Sequence, residues 1–82
     1  MSRDEIRNTF FDLLRPYVRM EDPGRMTESS LLVEDLGVNS TRFVDVVLET
    51  EDRFKIRVEN EDIDRFRRVS DAIDFILERR PA

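Results

Sequence analysis

The order of apolar and polar residues divides the chain into four helical stretches and one long connection. Ser2-Arg3-Asp4-Glu5 has the spacing of a capping box, with serine reaching forward and glutamate reaching back. Ile6, Phe10, Leu13, Leu14 and Tyr17 follow at helical spacing and mark one core face. Pro16 lacks an amide proton and disfavours helix at Arg15, so the first helix is expected to end or kink there, with a weak continuation towards Val18. Residues 21–39 form a connection nineteen residues long, opened by Pro23 and Gly24. A loop of that length in a small domain tends to be functional or packed on its own side chains. Leu31, Leu32, Leu36 and Val38 are the expected plugs that pin it to the bundle. Residues 31–36 are expected to make one helical turn with Ser29 or Ser30 as its cap. Gly37 suits the positive φ that follows such a turn.

The second helix is expected over residues 40–54, with Asn39 as its N-cap. At about 100° per residue, Phe43, Val46, Val47, Thr50 and Phe54 share one arc, which Val44 and Leu48 widen on a flank. Arg42, Asp45, Glu49, Asp52 and Arg53 lie opposite. The apolar arc is wider than the roughly 100° stripe that a surface helix needs for its core, so the surplus is either deeper burial or a strip facing a partner. Lys55-Ile56-Arg57-Val58 alternates like a short strand but has no second strand to pair with. An extended connector with Ile56 and Val58 inward is expected instead. Asn60 is expected to cap a short helix over residues 61–66, with Ile63 and Phe66 on its apolar side. Ser70 is the expected cap of the last helix, with Ala72, Ile73, Ile76 and Leu77 inward and Phe75 partly so. Arg79 and Arg80 suit its C-terminus, and Pro81 is the expected stop. The expected architecture is an all-α, four-helix bundle: three longer helices plus one short helix, in a single domain over residues 1–82.

Composition narrows what such a bundle can do. A chain of 82 residues buries only about 60–65% of its unfolded surface, so the core is modest. Charged residues make up 40% and hydrophobic ones 39%, which fits short amphipathic helices and leaves too much regular apolar pattern for a disordered chain. The net charge of −5 argues against nucleic acid and anionic membranes as partners and in favour of a protein with a basic patch. There is no cysteine and no histidine. A disulfide framework and a thiolate metal site are thereby excluded, and so are the side chains most often used as nucleophile and general base near neutral pH. No apolar run approaches a membrane span, and Met1-Ser2-Arg3-Asp4-Glu5 has no signal-peptide character, so the expected compartment is the cytoplasm and the expected state a monomer.

The candidate chemistry lies in Asp35-Leu36-Gly37-Val38-Asn39-Ser40. Ser40 occupies the first helical position, where its hydroxyl is outside the hydrogen-bond ladder. A phosphate ester on it would lie against the positive end of the helix dipole and the orphan amides of the first turn. On local sequence alone, the favoured reading is that Asn39, Ser40 and Thr41 cap a helix and do nothing more. Asn39-Ser40-Thr41 also matches the N-glycosylation pattern, which carries no weight without a secretory signal. The stretch resembles the Asp-Leu-Gly-x-Asp-Ser signature of acyl carrier proteins, and the likeness runs from about Leu32 to Leu77, taking in Phe54 and Val69-Ser70-Asp71-Ala72-Ile73-Asp74-Phe75-Ile76. The resemblance implies an acyl-carrier-like bundle whose cofactor is 4′-phosphopantetheine, attached at Ser40 within a motif of Asp35, Leu36, Gly37 and Asn39. It also implies two kinds of partner: a phosphopantetheinyl transferase, and acyl-transferring or acyl-activating enzymes with basic docking patches. By the same resemblance Thr41, Val44 and Leu48 are contacts for those enzymes, and Asp45, Glu51 and Asp52 meet their basic residues. A mobile third helix would admit an acyl chain to the bundle.

Three positions depart from the family pattern. Asn39 stands where aspartate is usual, Thr41 where leucine or isoleucine is usual, and Arg42 where an acid is common. These changes lower the acidity beside Ser40 and point to a specialised carrier. The resulting expectation is a non-catalytic acyl carrier serving fatty-acid, polyketide or related lipid biosynthesis. An aminoacyl or peptidyl carrier and an unmodified helical docking module are the alternatives. A serine hydrolase is disfavoured because no histidine exists to activate Ser40. Arg65, Arg67 and Arg68 form a second basic cluster, expected to be a solvated patch that balances nearby acids.

Overall fold

Three α-helices form where the apolar spacing places them, α1 (Arg3–Leu14), α2 (Ser40–Phe54) and α3 (Val69–Arg79), in a computed structural model that describes residues 1–80. A short 3₁₀ helix, Asn60–Arg65, is the fourth. The described residues contain no strand, only an isolated bridge between Leu31 and Arg68. The fold is thus an all-α bundle of the expected plan. Among the described residues, no helix is long and apolar enough to cross a membrane.

The capping box at the start of α1 is in place: Glu5 N–H donates to Ser2 Oγ, and Ser2 N–H donates to the Glu5 carboxylate. These bonds hold the Glu5 carboxyl below its ordinary range. Pro16 acts as expected, converting the chain to a 3₁₀ turn over Arg15–Tyr17. Ile6, Phe10, Leu13 and Leu14 are buried against Val46, Val47 and Phe54 of α2 and Val69, Ala72, Ile73, Phe75 and Ile76 of α3. Thr50 is the buried polar member of α2, and its hydroxyl is satisfied by the Val46 carbonyl at 2.7 Å. Leu32, Leu36 and Val38 plug the connection into this core, whereas Leu31 is only half-buried. Ile56 and Val58 pack partly inward from an extended connector.

The structure corrects three helix starts. Ser29 and Ser30 do not cap the turn at residues 31–36; the Asp35 carboxylate accepts the Leu31 N–H at 2.8 Å, while Ser30 Oγ accepts from Thr27 N–H. Asn60 is not a cap but the first residue of the 3₁₀ helix, since Glu59 N–H is held by the Asp62 carboxylate at 3.1 Å. Asp62 is buried and also meets Arg79 at 3.4 Å, so it joins the short helix to the end of α3. Ser70 lies inside α3, which opens at Val69 with Arg68 N–H donating to Asp71 Oδ2. In each case an acid three or four residues downstream reaches back more favourably than the expected hydroxyl or amide reaches forward. Phe75 is fully buried rather than partly so, because Phe66 packs on it at 5.3 Å and the Arg65 and Arg79 guanidinium groups cover its ring. The expected stop at Pro81 lies outside the described residues.

Tertiary hydrogen bonds bind the connection to the start of α3. Leu32 N–H donates to the Arg67 carbonyl, Val69 N–H to Ser30 and Ser70 N–H to Glu28, while Arg68 Nη1 donates to the Ser29 carbonyl. Arg3 forks between Glu28 and Asp74 at 2.6 Å each, tying α1, the connection and α3 together. Of the basic cluster, Arg65 pairs with Glu78 and Arg68 is this clasp, so the cluster is partly structural.

Gly37 has φ +71, and a Cβ there would stand 2.9 Å from Arg19 Cβ. Gly37→Ala therefore combines left-handed strain with a side-chain clash and should cost about 2–3 kcal/mol, read from the midpoint of urea unfolding.

Candidate functional site

Ser40 is delivered to the surface by the turn before it. Asp35 N–H and Leu36 N–H both donate to the Leu31 carbonyl, and the Asp35 carboxylate closes the turn on Leu31 N–H. Gly37 N–H reaches the Val33 carbonyl, Val38 N–H reaches Leu32, and the Leu36 carbonyl accepts Arg19 N–H at 2.7 Å. Leu36 and Val38 are buried on either side of Gly37, so the motif is held from below by its apolar members. Asp35 is a staple of the turn and does not reach forward to Ser40.

Asn39 is extended, and its Oδ1 accepts Arg42 N–H at 2.9 Å, the capping bond that the sequence implies. Its carbonyl accepts Phe43 N–H at 2.7 Å. Ser40 is exposed at the first position of α2. Among the described residues, the N–H groups of Ser40 and Thr41 have no acceptor in the protein. A hydroxyl beside two free amides at a positive helix end suits a phosphoester, whose charged oxygens find donors there. The chain contains no histidine that could activate the hydroxyl.

The surplus apolar arc of α2 points to solvent. Val44 is 55% exposed and Leu48 57%, while Val46, Val47, Thr50 and Phe54 are buried, so the extra width is not deeper burial. Thr41, Arg42, Asp45 and Asp52 are exposed along the same helix. Glu51 differs: it is half-buried and accepts Val58 N–H at 2.8 Å, which makes it a clasp on the connector behind α2. Val33, in the turn before Ser40, is also half exposed and was not singled out by the pattern. Its signal lay in the adjacent pair Leu32-Val33, of which a single turn can bury only one member.

A second strap runs along the other flank of α2. The Tyr17 hydroxyl donates to Glu49 at 3.0 Å, and the Arg42 guanidinium lies 6.0 Å from the centre of the Tyr17 ring. The bond to Glu49, followed by burial and the charges of Glu49 and Asp45, holds the Tyr17 phenol above its ordinary range; Arg42 offsets part of this. Sequence reasoning placed Tyr17 in the core face and did not connect it to Glu49, because nothing in the pattern sets the two in contact.

Because Val44 and Leu48 are more than half exposed, Val44→Arg and Leu48→Arg should change unfolding free energy by no more than about 0.5 kcal/mol. Circular dichroism during urea titration checks this, and a collapsed helical signal would place both residues in the core.

No protein-family model matches the chain. Curated proteins do. The chain is 30% identical over 77 residues to the mitochondrial acyl carrier protein of Neurospora crassa, a match that covers 94% of the chain and 58% of that relative, so the chain spans little more than half of its length. It is 29% identical over 76 residues to the putative mitochondrial acyl carrier protein of Schizosaccharomyces pombe, covering 93% of the chain and 68% of the relative. The acyl carrier protein of Brachyspira hyodysenteriae is 29% identical over 77 residues, 94% of each chain. With a helical bundle that presents Ser40 after Asp35-Leu36-Gly37, the chain is similar over nearly its whole length to these acyl carrier proteins.

Proposed function

We propose that the protein is a non-catalytic carrier that holds acyl groups as thioesters on a 4′-phosphopantetheine arm joined to Ser40, and presents them to separate enzymes of lipid biosynthesis. The observation that carries this reading is the exposed Ser40 hydroxyl at the first position of α2, with the N–H groups of Ser40 and Thr41 free beside it. The arm, when bound, supplies the thiol that a chain without cysteine lacks. Ser40 Oγ would hold its phosphate, and the two amides and the helix dipole would face the phosphate oxygens. Asn39 keeps the helix start closed through its bond to Arg42 N–H, whatever Ser40 carries.

Docking belongs to the outer face of α2. Thr41, Val44 and Leu48 offer a partner contact, and Asp45 and Asp52 offer charge to a basic patch. Glu51 has a structural bond to keep and adds to the field more than to direct contact. Exposed charges of this kind steer encounter and set salt dependence more than they add affinity. Arg42, three residues from Asp45 and resting against Tyr17, lowers the acidity beside Ser40 and favours partners other than those of a uniformly acidic carrier. The same lowered acidity suits a carrier of aminoacyl or peptidyl groups.

Intact mass before and after incubation with coenzyme A and a broad-specificity phosphopantetheinyl transferase tests attachment. A phosphopantetheine-sized gain that disappears in Ser40→Ala is expected, and no gain with several transferases would move the assignment to an unmodified docking module. Restoring acidity with Asn39→Asp and Arg42→Asp should raise the loading rate about tenfold at low salt, with the difference shrinking as salt is added. Equal rates would show that these two charges do not govern encounter.

A further inference from the structure

The far end of the bundle carries a feature with no part in the chemistry at Ser40. Ser40 and Phe54 stand at opposite ends of the fifteen-residue α2, about 20 Å of helix apart. Beyond Phe54, Lys55 ends the helix in the left-handed conformation at φ 57. Here a cleft of about 270 Å³ opens between the three α-helices. Ile6 of α1, Phe54 of α2 and Ile76 of α3, all buried, form its floor. Met1, Arg53, Lys55 and Arg80, all exposed, form its rim.

No aspartate or glutamate lines this cleft among the described residues. Nor does Arg53, Lys55 or Arg80 pair with a carboxylate among them; the one bond made by the Arg80 guanidinium is to the Met1 carbonyl. In a chain with 19 acidic and 14 basic residues, three such cations around an apolar floor reverse the local charge. Six arginines elsewhere in the bundle, Arg3, Arg7, Arg15, Arg57, Arg65 and Arg79, are committed to ion pairs, whereas Arg19, Arg25, Arg42, Arg67 and Arg68 are not, among the described residues. An apolar recess with convergent groups of one sign is the chemistry of a site for a small amphiphile of the opposite sign. The volume sits at the lower end of ligand pockets, about 300 Å³, and admits one alkyl tail rather than the two of a membrane lipid.

We propose that this cleft binds a soluble single-chain alkyl carboxylate, with the tail on Ile6, Phe54 and Ile76 and the carboxylate among Arg53, Lys55 and Arg80. The site does not depend on Ser40, and so does not stand or fall with the carrier reading.

The test uses the full chain carrying Ser40→Ala, which has no attachment hydroxyl, followed by ¹H–¹⁵N correlation spectra. Decanoate, kept below its micelle concentration, is the probe. Saturable shifts centred on Ile6, Phe54, Lys55, Ile76 and Arg80 are expected. Decyltrimethylammonium, with the same tail and the opposite charge, should bind about tenfold or more weakly. Arg53→Glu and Arg80→Glu, both at exposed positions, should each weaken decanoate several-fold while the spectrum keeps its folded dispersion. Equal binding of the two amphiphiles, shifts centred on Val44 and Leu48 instead, or a response confined to vesicles of anionic diacyl lipid would each overturn the proposal.

Discussion

The close approach of Gly37 to Arg19 is the constraint on which the placement of the site depends. Arg19 follows the 3₁₀ turn that Pro16 induces, and its amide is bonded to the Leu36 carbonyl, so the two backbones touch. Only a residue without Cβ, free to adopt positive φ, fits between them. That contact seats Leu36 on one side and Val38 on the other in the core. A nineteen-residue connection would otherwise retain much conformational entropy and leave the first turn of α2 to fray. Pinned in this way, the chain leaves the turn extended at Asn39 and enters the helix at Ser40 with a fixed direction.

The helix that follows serves two surfaces with one sequence. Val46, Val47, Thr50 and Phe54 meet the core, and Val44 and Leu48 meet solvent, with acids at Asp45 and Asp52 beside them. Placing apolar residues on both sides is affordable because charged residues fill the gaps between the two arcs and keep the exposed strip narrow. The Tyr17–Glu49 bond and the Glu51–Val58 bond hold α2 from either flank. Both straps occupy acids with hydrogen bonds while leaving their charge in place, so Asp45 and Asp52 are the acids along the strip without a hydrogen-bond partner among the described residues.

With so few residues the core alone gives a small margin, and the remaining order comes from polar stitches between segments distant in sequence. Exposed ion pairs such as those of Arg3 are each worth only about 0–1 kcal/mol, so their contribution is chiefly to orientation. The backbone bonds between residues 28–32 and 67–70 matter more, since they satisfy amides that the connection has no regular structure to satisfy. They also explain why Arg68 and Asp71, rather than Ser70, open α3: its start is shared with the connection.

The residues by themselves determined the three long helices, the capping box at Ser2, the interruption at Pro16, the plugs Leu32, Leu36 and Val38, and the Asn39 cap that leaves Ser40 at a helix start. Each follows from a local rule of spacing, ring closure or side-chain reach that holds wherever the segment lies. Tertiary structure alone decided whether the wide arc of α2 was core or surface, because periodicity counts apolar positions without knowing what packs on them. It also decided the roles of Asp62, Phe75 and Glu51, whose partners Arg79, Phe66 with Arg65, and Val58 become neighbours only when the helices close. The starts at Glu59 and Arg68 went to acids reaching backward because several caps were locally acceptable, and the contacts of the folded chain selected among them.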